Sequence, residues 1–315
     1  MNDPTRDDQY LGSNTSRPEA SPSDGEYVVP TVVDEPRLEP HSLPPRSPRG
    51  RRVLLPILLF IATCVTTYLV GLLTFGTDGW QYCLALMTIL GCHEAGHFFQ
   101  ARRYRVPASF PFFIPIPAPP IGTLGAVIGM SPRIMDRRAL FDIGITGPLA
   151  GLVPTLICCV VGVQLSHLAA LAPNAIRYGD PLLLKLLYRW QFGPLPDGYD
   201  VIINPLLWAG WVGLLVTALN LMPIGQLDGG HVLYALVRRH AHRVATLLLV
   251  VAAVAVIVFG YYWWTLMLVL LVIMGPKHPP TVRDDVPLGF WRTLLGWLTL
   301  AFILLGFTPK PFIVT

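Results

Sequence analysis

Two stretches of the chain carry no charge at all, Val53 to Thr77 and Val244 to Pro276. Each exceeds the roughly 20 apolar residues that one bilayer crossing needs, and the second is long enough for two crossings or a hairpin. Apolar runs separated by polar clusters predict spans at about 53–75, 80–101, 139–165, 204–222, 244–260, 262–275 and 289–307. The fold class that follows is an all-α polytopic membrane protein with about six to seven transmembrane helices. The fourth run cannot continue as one helix, because Pro223, Gly225, Gly229 and Gly230 interrupt "NLMPIGQLDGGHVLYAL". Irregular backbone at membrane depth is tolerated where protein buries it or where it lines a wet cavity. A broken helix is therefore expected beside a polar site. A second irregular segment, Pro111 to Met130, is full of proline with Gly122, Gly125 and Gly129. It is expected to form a short membrane-dipping loop or β-hairpin offering a strand edge.

Composition supports the membrane reading: of 315 residues, 53% are hydrophobic and only 13% charged, too apolar for an ordinary soluble domain. Residues 1–52 differ. They are rich in Pro, Ser, Asp and Arg, cannot bury enough apolar surface to offset ordering entropy, and are expected to be a disordered cytoplasmic tail rather than a signal or transit peptide. Residues 53–315 then form the transmembrane domain. The five cysteines, Cys64, Cys83, Cys92, Cys158 and Cys159, lie in apolar segments without CxxC spacing and are expected to pack rather than pair.

The net charge of +4 is modest, and its basic residues cluster at span ends, which speaks to topology and against a nucleic-acid partner. Arg49, Arg51 and Arg52 precede the first span, Arg102, Arg103 and Arg105 follow the second, and Arg133, Arg137 and Arg138 precede the third. Placing these on the cytoplasmic side puts the N-terminus inside, and Arg238, Arg239 and Arg243 return to the same side. The segment from His167 to Val201 is then an outward-facing loop. A bacterial inner membrane is the expected location.

The chemistry concentrates in "LMTILGCHEAGHFFQARR", residues 86–103. His93 and His97, four residues apart on a helix, lie one turn apart on one face, so both rings reach one ion, with Glu94 beside it. Ionisable groups within a span cost several kcal/mol unless they are paired or functional. A catalytic metal usually takes three protein ligands and leaves a position for water. The third candidate is Asp228 in the broken span; His231, three residues on, is the other possibility. By the topology above, both polar clusters lie toward the cytoplasmic ends of their spans, so His93, His97 and Asp228 can meet at one depth.

HEAGH in one span and Asn220-x-x-Pro223-x-x-x-Leu227-Asp228-Gly229-Gly230 in a later broken one together resemble the site-2 protease family of intramembrane zinc metalloproteases. "PPIGTLGAVIGM" and "DIGITGPLAG" are similar to the membrane-dipping loop and Gly-rich third span of its bacterial and chloroplast branch. The resemblance covers most of residues 53–280. It implies Zn²⁺ held by His93, His97 and Asp228, Glu94 as the catalytic base, and Asn220 holding substrate backbone. Gly122 and Thr123, in the dipping loop, are further candidates for substrate positioning. The expected substrate is a single-span membrane protein within the lipid bilayer. Two features depart from the family: there is no room for an inserted PDZ domain, and Ile224-Gly225-Gln226 replaces the usual Pro-rich stretch before Leu-Asp-Gly.

Two other classes of function compete. A metal or ion transporter uses similar polar clusters in broken helices, but Glu94 beside paired histidines favours hydrolysis. A catalytically silent homologue that binds membrane partners would not need the full His, Glu and Asp set.

Overall fold

The computed structural model describes residues 51–130, 136–171 and 176–314. Apart from Arg51 and Arg52, the expected N-terminal tail lies outside the described residues. Helix α1 (Arg51–Phe75) and helix α2 (Gly79–Arg103) are joined by a single 3-10 turn, Gly76–Asp78. Gly71 and Gly79 let the two backbones touch, since a Cβ built on Gly71 would lie 3.0 Å from the Gly79 Cα. The pair forms a helical hairpin at a separation that no side chain on either residue would permit.

A two-stranded antiparallel hairpin follows, β1 (Phe112–Pro115) and β2 (Thr123–Val127), with Phe113 opposite Ala126. Three successive carbonyls of its connecting loop are held by three different helices. Trp208 Nε1 donates to Pro120 at 3.2 Å, Tyr82 to Ile121 at 2.6 Å and Thr66 to Gly122 at 2.8 Å. These bonds satisfy exposed backbone acceptors in apolar surroundings and fix where β2 lies.

Helix α3 (Arg137–Gln164) starts where the Asp136 side chain accepts from the backbone N–H of Ala139 at 2.8 Å. The segment expected as an outward loop is more structured than its sequence announces. It carries β3 (Leu168–Ala170), β4 (Ile176–Tyr178), helix α4 (Leu182–Phe192) and β5 (Tyr199–Val201). β3 pairs antiparallel with β5, and β4 with β6 (Phe312–Val314), so the chain's last strand ties back to this segment.

Helix α5 (Pro205–Asn220) is hydrophobic all round and buried all round, packed between α2 and α3 with Trp208 and Trp211 stacked at 4.8 Å. It stops at Asn220, and α6 (Asp228–Val237) restarts after the interruption, as the proline and glycines require. Gly225 sits at φ +59 in this break. Then come α7 (His240–Val258), a 3-10 turn at Tyr262–Trp264, α8 (Thr265–Met274), α9 (Phe290–Ala301) and α10 (Ile303–Gly306). The long uncharged run thus folds into two helices, as its length demanded. At ten residues, α8 is about 15 Å long, short of a full crossing.

The described chain is mostly helical. Three helical stretches are long and apolar enough to cross a membrane: Val53–Arg103, which is the α1–α2 hairpin, Arg137–Gln164 and His240–Val258. Their outward faces carry large apolar side chains, with Leu73 76% and Ile257 73% exposed. That surface suits lipid and not water. All five cysteines are free.

Candidate metal centre

Helix α2 places His93, Glu94 and His97 in the interior, each about 95% buried. It can approach α3 because Gly96 has no side chain, and a Cβ there would meet the Ala150 side chain at 3.0 Å. Thr146 of α3 donates to the Gly96 carbonyl at 3.2 Å across this contact. Asp228 arrives as the first residue of α6, swung inward by the break after Asn220. His93 and Asp228 are 135 residues apart in sequence, yet His93 Nε2 and Asp228 Oδ2 lie 3.2 Å apart. His97 Nε2 is 3.2 Å from the same oxygen and 3.2 Å from His93 Nε2.

Three donor atoms therefore form an equilateral triangle. In a tetrahedral site with ligands about 2.0–2.1 Å from the ion, donors are separated by about 3.3–3.4 Å. Two imidazole nitrogens and one carboxylate oxygen at 3.2 Å fit such an ion and leave its fourth position free. Among the described residues this is the only group of three or more His, Cys, Asp or Glu spaced to hold a metal. The ring of His97 is oriented from behind: its Nδ1 donates to the Ile143 carbonyl at 2.8 Å, leaving the Nε2 lone pair facing the triangle.

The glycines of α3 seat these rings. Gly144, Gly147 and Gly151, spaced by three and four residues, form one stripe. A Cβ on Gly147 would occupy the His97 ring, and one on Gly151 would lie 3.0 Å from the His93 Cβ. The stripe was legible as a place of close helix packing; that its partners are the histidine side chains was not.

A cavity of about 260 Å³ opens on the triangle. Glu94, Asn220 and Asp228 line it, together with Ala126, Val127 and Ile128 at the end of β2. Asn220 Nδ2 lies 3.3 Å from His93 Nε2, next to the donor triangle. Gly122 and Thr123 are placed elsewhere. Gly122 packs on α1, and the Thr123 hydroxyl is engaged inside the hairpin with the Ile114 carbonyl at 2.9 Å. The hairpin residues at the cavity are those three to six positions further along. His278 and Thr281, from the loop after α8, also line the cavity and were not among the expected site residues. "GPKHPP" gives no local sign of that placement.

The comparisons with known proteins agree with this geometry. The chain belongs to peptidase family M50, the site-2 protease family, whose family model matches residues 81–260 and so takes in both motifs. It is similar to "Probable zinc metalloprotease EGY1, chloroplastic" of Oryza sativa subsp. japonica, at 36% identity over 168 residues, which is 51% of this chain and 29% of that protein. The protein of the same name from Arabidopsis thaliana is 30% identical over 230 residues, covering 71% of this chain and 42% of the relative. "Probable zinc metalloprotease EGY2, chloroplastic" of Arabidopsis thaliana is 30% identical over 162 residues, 50% and 29%. The chain spans less than half the length of these curated relatives. No solved structure matches it.

Proposed function

We propose that the chain is an intramembrane zinc metalloendopeptidase that hydrolyses a peptide bond within or near the membrane-spanning segment of a single-span protein. The observation that carries the reading is the His93, His97 and Asp228 triangle beside buried Glu94, inside a helical body whose outer faces are apolar. His93, His97 and Asp228 would hold the ion, and the zinc names of the relatives agree with the donor set. Bound Zn²⁺ supplies a lowered pKa for water, from about 16 toward 7, and polarisation of the scissile carbonyl.

The remaining steps belong to the chain. Glu94 accepts the proton of the attacking water and returns it to the departing amide nitrogen. Asn220, whose amide already points at the centre, donates to a substrate carbonyl. A helical substrate shields its peptide bonds, so the substrate must enter extended. Among the described residues β2 belongs to a two-stranded sheet, and its end lines the cavity, so an unwound segment can add along it. In this reading the hairpin lies at membrane depth.

Residues 53–315 are one transmembrane protease domain in this reading, with residues 1–52 a cytoplasmic tail. The helices α1, α2, α3, α5 with α6, α7, α8 and α9 support about six to seven spans. The arginine clusters support a cytoplasmic site. His97 lies six residues before Arg103, about 9 Å along the helix. A bacterial inner membrane remains our reading of the location, on the acidic composition of the tail; the relatives named above are chloroplastic.

The test is cleavage of a single-span substrate by the purified protein in detergent, with zinc content measured in parallel. Wild type is expected to cleave with one zinc per chain, and Glu94→Gln to keep the zinc and lose cleavage. Equal cleavage by both would end the mechanism, and metal flux without cleavage would favour transport.

A further inference from the structure

A third histidine shares the glycine stripe. A Cβ on Gly144 would lie 2.9 Å from the Cβ of His231, so α3 receives His231, His97 and His93 at Gly144, Gly147 and Gly151 in order. His231 stands three residues after Asp228 on α6, hence on the same face, and lines the same cavity. It is outside the donor triangle. Its Nδ1 lies instead 2.6 Å from Nε2 of His278, and Nδ1 of His278 lies 2.6 Å from the carbonyl oxygen of Pro279.

This chain of contacts fixes both tautomers. A carbonyl only accepts, so His278 carries its proton on Nδ1 and its Nε2 is an acceptor. His231 must then donate from Nδ1, which leaves its Nε2 as a bare lone pair. Burial lowers the His278 imidazole to about 4, so it is neutral at pH 7 and the assignment holds there. Among the described residues Nε2 of His231 makes no hydrogen bond.

We propose that Nε2 of His231 is a substrate-positioning acceptor, receiving a backbone N–H of the extended substrate on the side that β2 does not pair. The inference rests on the strand-addition reading above. In an added strand, successive residues direct their N–H groups alternately toward and away from β2. Those aimed away from β2 meet the rest of the cavity lining, and an N–H buried there without a partner is penalised. β2 packs on α1 and α2, whereas α6, which carries His231, packs on α3, α7 and α9, so His231 and its partner His278 line the cavity from another side than β2. His278 and the Pro279 carbonyl act behind His231, holding its lone pair outward.

The experiment uses the full chain in detergent with a single-span substrate, and two readouts. First, ¹⁵N-histidine spectra of the wild type, assigned through loss of one signal in His231→Gln, should show a proton-free Nε2 on His231. Second, His231→Leu should lower kcat/KM about five- to 150-fold, the range expected for one unpaired buried N–H. His231→Gln, which keeps an acceptor, should recover a large part, and both variants should hold one zinc per chain. A protonated Nε2, unchanged cleavage by His231→Leu, or loss of zinc in both variants would overturn the proposal. Failure of the protease reading looks different: wild type would then not cleave at all, or Glu94→Gln would cleave as well.

Discussion

Gly147 of α3 and His97 of α2 occupy one another's space: the ring of His97 lies where a side chain on residue 147 would begin. In the proposed site, metal affinity should therefore depend on a residue that donates nothing to the metal. Gly147→Ala should displace the ring and lower zinc affinity by roughly 10- to 100-fold, the range found when groups that orient ligands are lost. Gly91 is the control, because a Cβ there meets nothing within 4 Å. Gly91→Ala should bind zinc as the wild type does. Chelator competition on both variants measures this, and equal affinities would show that the α2–α3 contact is not what sets the ring.

The proposed ligands and the proposed base separate by their expected effect on zinc. His97→Ala and Asp228→Ala each remove a corner of the 3.2 Å triangle and should lose zinc together with cleavage. Glu94→Gln should keep stoichiometric zinc and lose about 10²- to 10⁴-fold in rate, the usual contribution of a general base. Metal analysis beside a cleavage assay checks it. Stoichiometric zinc in Asp228→Ala would remove that residue from the ligand set.

The legible and illegible parts of this protein divide by locality. His93, Glu94 and His97 announce themselves because a four-residue spacing on a helix is a local rule, and the break before Asp228 is visible because proline and glycine act on their own backbone. The long uncharged run from Val244 resolved into α7 and α8 by length alone. What stayed hidden depends on contacts between distant segments. His231 and His278 are 47 residues apart, and nothing in "GPKHPP" says that the loop folds back over α6. α4 was hidden in another way, since Lys185, Arg189 and the flanking Pro and Gly residues made its segment read as a loop. The three-residue strands β3 to β6 are too short to show an alternating pattern, and their pairing is set by where the helices bring them.

Helix α9 is tied to α3 and to the end of α2 through one carboxylate. Arg292 of α9 donates to both oxygens of Asp142 on α3, at 2.8 and 2.9 Å, and Tyr104 at the end of α2 donates to the same group. Such a forked pair is among the stronger ionic contacts, but the Arg292 side chain is 40% exposed and water screens it. Arg292→Gln should cost about 1–2 kcal/mol of stability, and Tyr104→Phe less. Asp142→Asn should cost at least as much as Arg292→Gln, because it weakens both contacts at once. Thermal unfolding in detergent ranks the three. Wild-type stability in Asp142→Asn would show that α9 is held by its apolar contacts alone.

In the segment that follows α3, Asp180 comes after β4 and shares a cavity with Asp200 and Tyr188. Burial first, and Asp200 second, push its carboxyl up to about 6, against weaker pulls from Lys185, Tyr188 and Arg177. Arg177 is itself paired with Asp200 at 2.9 Å. The folded protein thus holds the Asp180 proton at pH values where the unfolded chain, titrating near the ordinary 3.8, has released it. Stability from this site should therefore rise as pH falls from about 6 to 4, and the penalty should be complete above 6. Its size is at most about 3 kcal/mol by the usual conversion of a pKa difference. Asp180→Asn removes the charge and keeps the shape, so it should stabilise the protein at pH 7–8 and flatten the pH dependence between 4 and 6. Unfolding of both proteins across this range measures the difference. Parallel curves would show that the Asp180 carboxylate carries no penalty in the folded state.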